Sequence, residues 1–382
     1  MKKNVCLMYA IALLQGMVFY GPIATLYRRA QGVSISQITL IESVSLILCL
    51  LLEIPWGVIS DRIGYKRTMT FCCCLYFVSK IVFWQASGFW WFLLERVMLS
   101  IVIAGLSGVD TSILYLSCEE GKSQRAFGIY NSLSTIGLLT AAVIFSAFVG
   151  KNYKLSGGLT VISYGLSALA SLFLTEVRGK TRRNFQYIEF KTIFLKTIGS
   201  RYRMALLVAV AFLSEAHQTV TVFLNQLKYE QCGLSPSQIG CVYAGVTLAG
   251  LVGLCSFRFT RAAGEKAGGA MLYGAAIASC ILLAYTGRAG FSVGGILMLR
   301  VSNSLFQPFQ MELQNRQVQT ENRATELSIN AMVIDCTGAG TNLIFGYLAE
   351  LSLRAAFLLG ACFCLLGLCL FLLWHSHREQ IS

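Results

Sequence analysis

Among the ionisable side chains that interrupt the long apolar runs of this 382-residue sequence, seven are candidates for chemistry: Glu42, Lys80, Arg96, Asp110, Glu215, Arg300 and Asp335. At mid-bilayer a charge costs about 2.5–3.5 kcal/mol on insertion scales, so such residues face a cavity or a partner. Carboxyls held out of water favour their protonated form and can load and release protons. Guanidinium groups can grip an anion or neutralise a neighbouring carboxylate. Glu215, with His217 and Gln218 beside it, is the first candidate for proton or cation coupling. Neutralisation of the same Glu by Arg300 or by hydrogen bonds fits the sequence equally. Enzymatic chemistry has little to stand on. His217 is the only histidine within an apolar run, and the fourteen cysteines supply no HxxxH, ExxxH or paired-Cys ligand set. No enzyme activity, metal or cofactor is expected, and no Gly-Lys-Ser/Thr nucleotide loop is present.

The elements that position these groups follow from composition. Hydrophobic residues make up 55% and charged residues 13% of the chain, where a soluble domain carries roughly 25% charged residues. Twelve apolar runs of about 20 residues are long enough to cross a ~30 Å hydrocarbon core as helices. They extend from Val5–Tyr27 to Ser352–Trp374, and include Ile35–Ser60 (span 2), Phe89–Leu116 (span 4), Met204–Gln226 (span 7), Phe291–Asn315 (span 10) and Ala324–Glu350 (span 11). Their continuous hydrophobicity argues against barrel strands, which alternate over about ten residues. Lys2 and Lys3 precede a run too long for a signal peptide, so it reads as span 1.

Of the 31 Lys and Arg residues, 21 fall in segments on the N-terminal side of the membrane, 7 on the other side, and 3 within spans. The positive-inside rule therefore predicts a multi-pass plasma (inner) membrane protein with both termini cytoplasmic. The net charge of +13 suits anionic inner-leaflet lipid as a partner. A nucleic-acid partner is not expected, because no folded basic domain or aromatic-lined basic stripe is present. Between the halves, Phe190, Phe194, Ile198 and Tyr202 recur every four residues with Lys191, Lys196 and Arg201 between them. That pattern fits an amphipathic interfacial helix, and a solvated linker fits as well.

Internal repeats divide the chain into residues 1–177, a linker at 178–203, and residues 204–382. Asp61-Arg-Ile-Gly64-Tyr-Lys66 pairs with Arg261-Ala-Ala-Gly264-Glu-Lys266, Arg96-Val-Met-Leu-Ser100 with Arg300-Val-Ser-Asn-Ser304, and Arg125-Ala126 with Arg323-Ala324. Offsets of 198 to 204 imply two homologous six-helix halves. The loop after span 2 holds Gly57, Asp61, Arg62, Gly64, Lys66 and Arg67. Together with the repeat, this pattern resembles the major facilitator superfamily of transporters. Tyr65 departs from the Arg usual at its position. The resemblance implies an all-α membrane fold of twelve helices in two pseudo-symmetric bundles, working as a monomer.

In that family the loop is thought to latch the halves; as topology determinants, Arg62, Lys66 and Arg67 would suffice. The resemblance also places spans 1, 4, 7 and 10 around the central cavity. Arg96, Arg300, Gln15, Tyr20, Phe212 and His217 then become substrate-binding candidates, and Glu215, Asp110, Glu42 and Asp335 proton-coupling candidates. Asp110 fits a loop-capping role equally. Arg96 and Arg300 can grip an anion together or serve as counter-ions for Glu95, Glu42 or Glu215. Lys80, near the outer end of a peripheral helix, is expected to snorkel. Span 5 contains no proline, which departs from the pattern of drug antiporters. The expected function is secondary transport of a small molecule by alternating access, with proton-coupled efflux leading. Proton-coupled import, or facilitated diffusion of a small polar or anionic solute, is the alternative.

Overall fold

In the computed structural model, residues 2–118, 123–150, 152–177, 194–317 and 323–381 are described. Among these residues no strand occurs, and helices build twelve crossing elements. Span 1 joins Lys2–Gly16 to Ala24–Ala30 through a 3-10 turn at Gly21–Ile23, where Pro22 lacks a backbone donor. Spans 2 and 3 are Ile35–Ile63 and Tyr65–Gln85. Span 4 breaks between Phe89–Leu106 and Val109–Ser117, span 5 is Ser123–Ile144 with a π-helical end at Phe145–Val149, and span 6 is Tyr153–Leu172. Span 7 runs from Arg201–Gln218 through a π-helical stretch, Thr219–Leu224, into Asn225–Gln231. Span 8 comprises Pro236–Ala249, Gly250–Cys255 and Ser256–Ala263. Spans 9 to 12 are Glu265–Tyr285, Ala289–Gln317, Arg323–Leu351 and Leu353–Ile381.

Eleven of the twelve are apolar enough to cross a membrane by composition alone. Span 11 falls short because Asn330, Asp335, Thr337, Thr341 and Asn342 lie along it. Most of the linker lies outside the described residues. Residues 194–199 are helical, with Phe194 half-buried and Ile198 exposed. Ser200 then caps span 7 by accepting the Arg203 backbone N–H at 3.4 Å.

Two compact units emerge. One holds Met1–Ser34, Val44–Arg183 and Ser235–Ala244; the other holds Ile35–Ser43, Asn184–Leu234 and Gly245–Ser382. Each unit is thus one repeat half with the first turns of span 2 or span 8 exchanged. Close helix approach in lipid depends on small residues and van der Waals contact. In the first unit Gly137 of span 5 lies against the Leu13 carbonyl, and Gly16 of span 1 against the Ser134 carbonyl. In the second, Gly346 of span 11 takes Thr39, and Gly269 of span 9 takes the Phe371 ring.

The repeat recurs in the turn geometry. Span 1 ends in a Schellman motif: Gly32 N donates to Arg29 O at 3.0 Å and Val33 N to Arg28 O at 3.1 Å. Span 7 ends the same way, with Gly233 N on Glu230 O at 2.9 Å and Leu234 N on Tyr229 O at 3.0 Å. Both glycines hold φ at +82°, where a Cβ would be strained. Spans 3 and 9 are 21 residues each, and Gly64 and Gly264 are their N-caps.

Candidate functional site

The second unit gathers three of the predicted carboxylates. Glu215, 8% exposed, sits on span 7 against Gly338 of span 11, where a Cβ would meet its carboxyl group. Asn342, one turn further along span 11, donates Nδ2 to Glu215 Oε2 at 3.4 Å. Its Oδ1 accepts the Thr219 hydroxyl at 2.7 Å. Asp335 lies three residues before Gly338, and its charge bears on Glu215 together with that of Glu42. Glu42 is carried by the first turns of span 2, which this unit holds through Ser43 Oγ donating to Ala339 O at 2.9 Å. Among the described residues no cation pairs with Glu215. Arg300, a possible counter-ion on sequence grounds, lies across Gly250 of span 8.

Span 7 carries a second polar face. His217 Nε2 lies 3.1 Å from Thr221 Oγ1, and Ser214, three residues before His217, accepts Gln307 Nε2 of span 10 at 3.4 Å. Gln310 Nε2 donates to Gln307 Oε1 at 3.2 Å, and Gln314 Nε2 donates in turn to Gln310 Oε1. An adjacent face of span 10 is packing surface, with Ser302 Oγ on Leu272 O and Phe306 against Tyr273. Phe212 stacks on Phe363 of span 12, with ring centroids 5.0 Å apart.

The first unit encloses a different cluster. Lys80 Nζ donates to Tyr20 Oη at 3.0 Å and meets Glu95 Oε1 at 3.4 Å, while Arg28 Nη2 approaches Glu95 Oε2 at 4.0 Å. Lys80 also lies 4.9 Å from the Tyr76 ring centroid and 5.4 Å from that of Tyr164. Lys80 therefore does not snorkel: it is 4% exposed, and Glu95 is 1% exposed. Glu95 faces Lys80 and Arg28, although Arg96 is its neighbour in sequence. Gln15 donates Nε2 to Cys73 Sγ at 3.4 Å, and Arg96 is half-buried on span 4.

Asp110 stands apart from the other carboxylates. It occupies the first turn of Val109–Ser117 after Gly108, and accepts Thr111 N at 2.6 Å and Tyr130 Oη at 3.5 Å. That is capping geometry, with the carboxylate complementing the helix N-terminus.

The loop expected after span 2 shrinks to Gly64: Arg62 lies in the last turn of span 2 and Arg67 in the first turn of span 3, and both are exposed. The side chain of Asp61 and the surroundings of Gly57 lie outside the described residues. Gly64 sits against the carboxylate of Glu176, whose Oε1 accepts Lys66 N at 3.1 Å. A carboxylate thus caps span 3, and it comes from a residue 110 positions away. Glu176, Gly338, Asn342 and the span 10 glutamines were not singled out from the sequence. A four-residue step separates Gly338 from Asn342, and polar residues recur at steps of three and four along span 10. Those spacings are the available signal.

Among the described residues, twelve helical crossing elements in two compact units, with carboxylates buried in both, form a multi-pass membrane architecture. The family model for the Major Facilitator Superfamily matches residues 5–340, and the chain belongs to that family of small-molecule transporters. No curated protein matches the chain. Among solved structures, it is similar to the nucleoside transporter NupG at 15% identity and TM-score 0.81, over 97% of this chain and 99% of that one. It also resembles a bacterial homologue of the human lysosomal transporter Spinster, occupied and inward-facing, at 17% identity and TM-score 0.75, over 98% and 96%. A POT family transporter in complex with 5-aminolevulinic acid aligns at 13% identity and TM-score 0.74, over 99% and 96%.

Proposed function

We propose that the chain is a secondary active transporter that moves its small-molecule substrate by alternating access of the two halves, driven by protons and working as an exporter. Glu215 is the coupling residue. The observation that carries this is its burial with no cation beside it among the described residues, where the Asn342 amide holds it across Gly338. A carboxyl in that setting has no fixed counter-charge, so its occupancy by a proton can follow which side of the membrane it faces. Glu42 and Asp335 modulate it through like charge. Asp110 is a structural cap. The segment with Gly57, Asp61, Arg62, Gly64, Lys66 and Arg67 latches the cytoplasmic ends, and both termini face the cytoplasm of a plasma (inner) membrane whose anionic lipid meets the basic segments. The working unit is the monomer.

A second reading, proton-coupled import or facilitated diffusion of a polar solute, is supported by the uncharged amide row on span 10. Likeness to a nucleoside transporter is compatible with it.

Purified protein in liposomes with an internal pH-sensitive dye tests the coupling. Substrate-driven proton movement in the wild type that disappears in Glu215→Gln is expected. Solute flux without proton movement, equal in both proteins, removes the coupling role.

A further inference from the structure

The amides of span 10 address what is recognised. Asn303, Gln307, Gln310 and Gln314 recur at steps of four, three and four, so they share one helix face. Asn303 is 6% exposed, and its Oδ1 has no hydrogen-bond partner among the described residues. An unsatisfied buried acceptor is destabilising, so a site that retains one has a use for it. Gln307 employs one of its two N–H donors on Ser214 and one of its two acceptor lone pairs on Gln310. One donor and one lone pair remain. The Ser214 hydroxyl, acting as acceptor to Gln307, keeps its own hydrogen to give. These groups form a row of unspent donors and acceptors without formal charge.

From this row we infer that Asn303 and Gln307, with Ser214 opposite, recognise an uncharged solute that presents an N–H donor beside a C=O acceptor, as a cyclic imide or lactam does. A side-chain amide pairs with such an edge through two parallel hydrogen bonds, and each good bidentate pair gives about ten-fold discrimination or more. A phosphate or carboxylate on the solute loses its hydration there and gains no charge-assisted bond from the amides themselves. The inference rests on the transporter reading of the same unit, and assigns solute recognition and proton loading to different faces of span 7. Ser214 faces span 10, whereas Glu215 and Thr219 face span 11.

Equilibrium binding to the purified full chain, with no gradient present, tests it. The probes are uridine, which carries an imide edge, 3-methyluridine, in which that N–H is blocked, and uridine monophosphate. Uridine is expected to bind, with 3-methyluridine and the monophosphate each about ten-fold weaker or more. Asn303→Asp and Gln307→Glu are near-isosteric variants, and each is expected to lower uridine affinity at least ten-fold without lowering the melting temperature. Absence of uridine binding, equal binding of uridine and 3-methyluridine, or unchanged affinity in both variants overturns the assignment. Should variants unfold, Asn303→Gln and Gln307→Asn, which keep the amide and shift its reach, replace them, and unchanged uridine affinity in both again overturns it. Proton-coupled flux lost in Glu215→Gln would leave the transporter reading standing in each of those cases.

Discussion

Asn342 binds Glu215 and Thr219 at once, donating to the carboxylate at 3.4 Å and accepting the hydroxyl at 2.7 Å. One amide therefore fixes the distance between two turns of span 7 and one turn of span 11. Its removal leaves two buried polar groups unsatisfied, at about 1–3 kcal/mol each. Asn342→Leu is expected to lower the melting temperature, and Asn342→Ala combined with Glu215→Ala to cost less than the sum of the two changes. The coupling energy from that double-mutant cycle should lie in the range of about 0.5–3 kcal/mol for residues in contact. Strict additivity in thermal melts would show that the hydrogen bond does not stabilise the fold.

Gly338 provides the space in which the carboxyl lies. A methyl group there must displace Glu215 or separate spans 7 and 11, and overpacking of this kind costs about 1–3 kcal/mol. Gly338→Ala should reduce proton-coupled flux at least ten-fold while the protein still purifies as a monodisperse species. Full flux in Gly338→Ala would mean that Glu215 works equally well from another position.

The Lys80–Glu95 contact is buried on both sides. Breaking a buried pair by removing one member typically costs 3–5 kcal/mol, because the other is left uncompensated. Lys80→Met should therefore be strongly destabilising. Lys80→Met with Glu95→Gln should recover part of the loss, as read by melting temperature in detergent. The recovery is partial because Arg28 loses the same carboxylate. A Lys80→Met melt equal to the wild type would contradict the arrangement.

Gly32 and Gly233 close equivalent Schellman motifs at the same φ. An L-residue in the left-handed region costs roughly 1–2 kcal/mol. Gly32→Ala and Gly233→Ala are expected to destabilise by similar amounts, and the Asn variants by less, since Asn tolerates this conformation. Chemical denaturation of the four variants checks the ranking. An Ala variant as stable as the wild type at either position would refute it.

Much of the architecture can be read from hydropathy and charge, since crossing a membrane imposes length and topology on each segment. Span 11 is the weakest case: Asp335, the Asn and Thr positions Asn330, Thr337, Thr341 and Asn342, and several glycines dilute its hydropathy, yet the run reads as a span and is a 29-residue helix. The repeat is legible at Gly64 and Gly264, and more clearly at the ends of spans 1 and 7. Gly32-Val-Ser-Ile-Ser-Gln-Ile38 aligns with Gly233-Leu-Ser-Pro-Ser-Gln-Ile239. Within the site, the type of each charged residue was informative and its partner was not. Depth along a helix does not say which neighbour covers it, so Lys80 was expected at the surface and is enclosed by Tyr20, Tyr76 and Glu95. The amides of span 10 stand out less, because a Gln in a span raises no insertion alarm comparable to a Glu.

The π-helical stretch at Thr219–Leu224 sets the clock of span 7. A π turn accommodates one residue more than an α turn, so everything beyond it is rotated by about 100° relative to an uninterrupted helix. Lys228, which donates to Thr286 O at 2.6 Å, owes its direction to that surplus residue. Deleting a single residue from the stretch would let the helix run as a plain α-helix with Lys228 still on its carbonyl, whereas straightening it at full length would swing Lys228 off, leaving Ser214, Glu215 and His217 where they are. The outer third of the helix is thereby indexed separately from its middle, by chain length in place of side-chain identity.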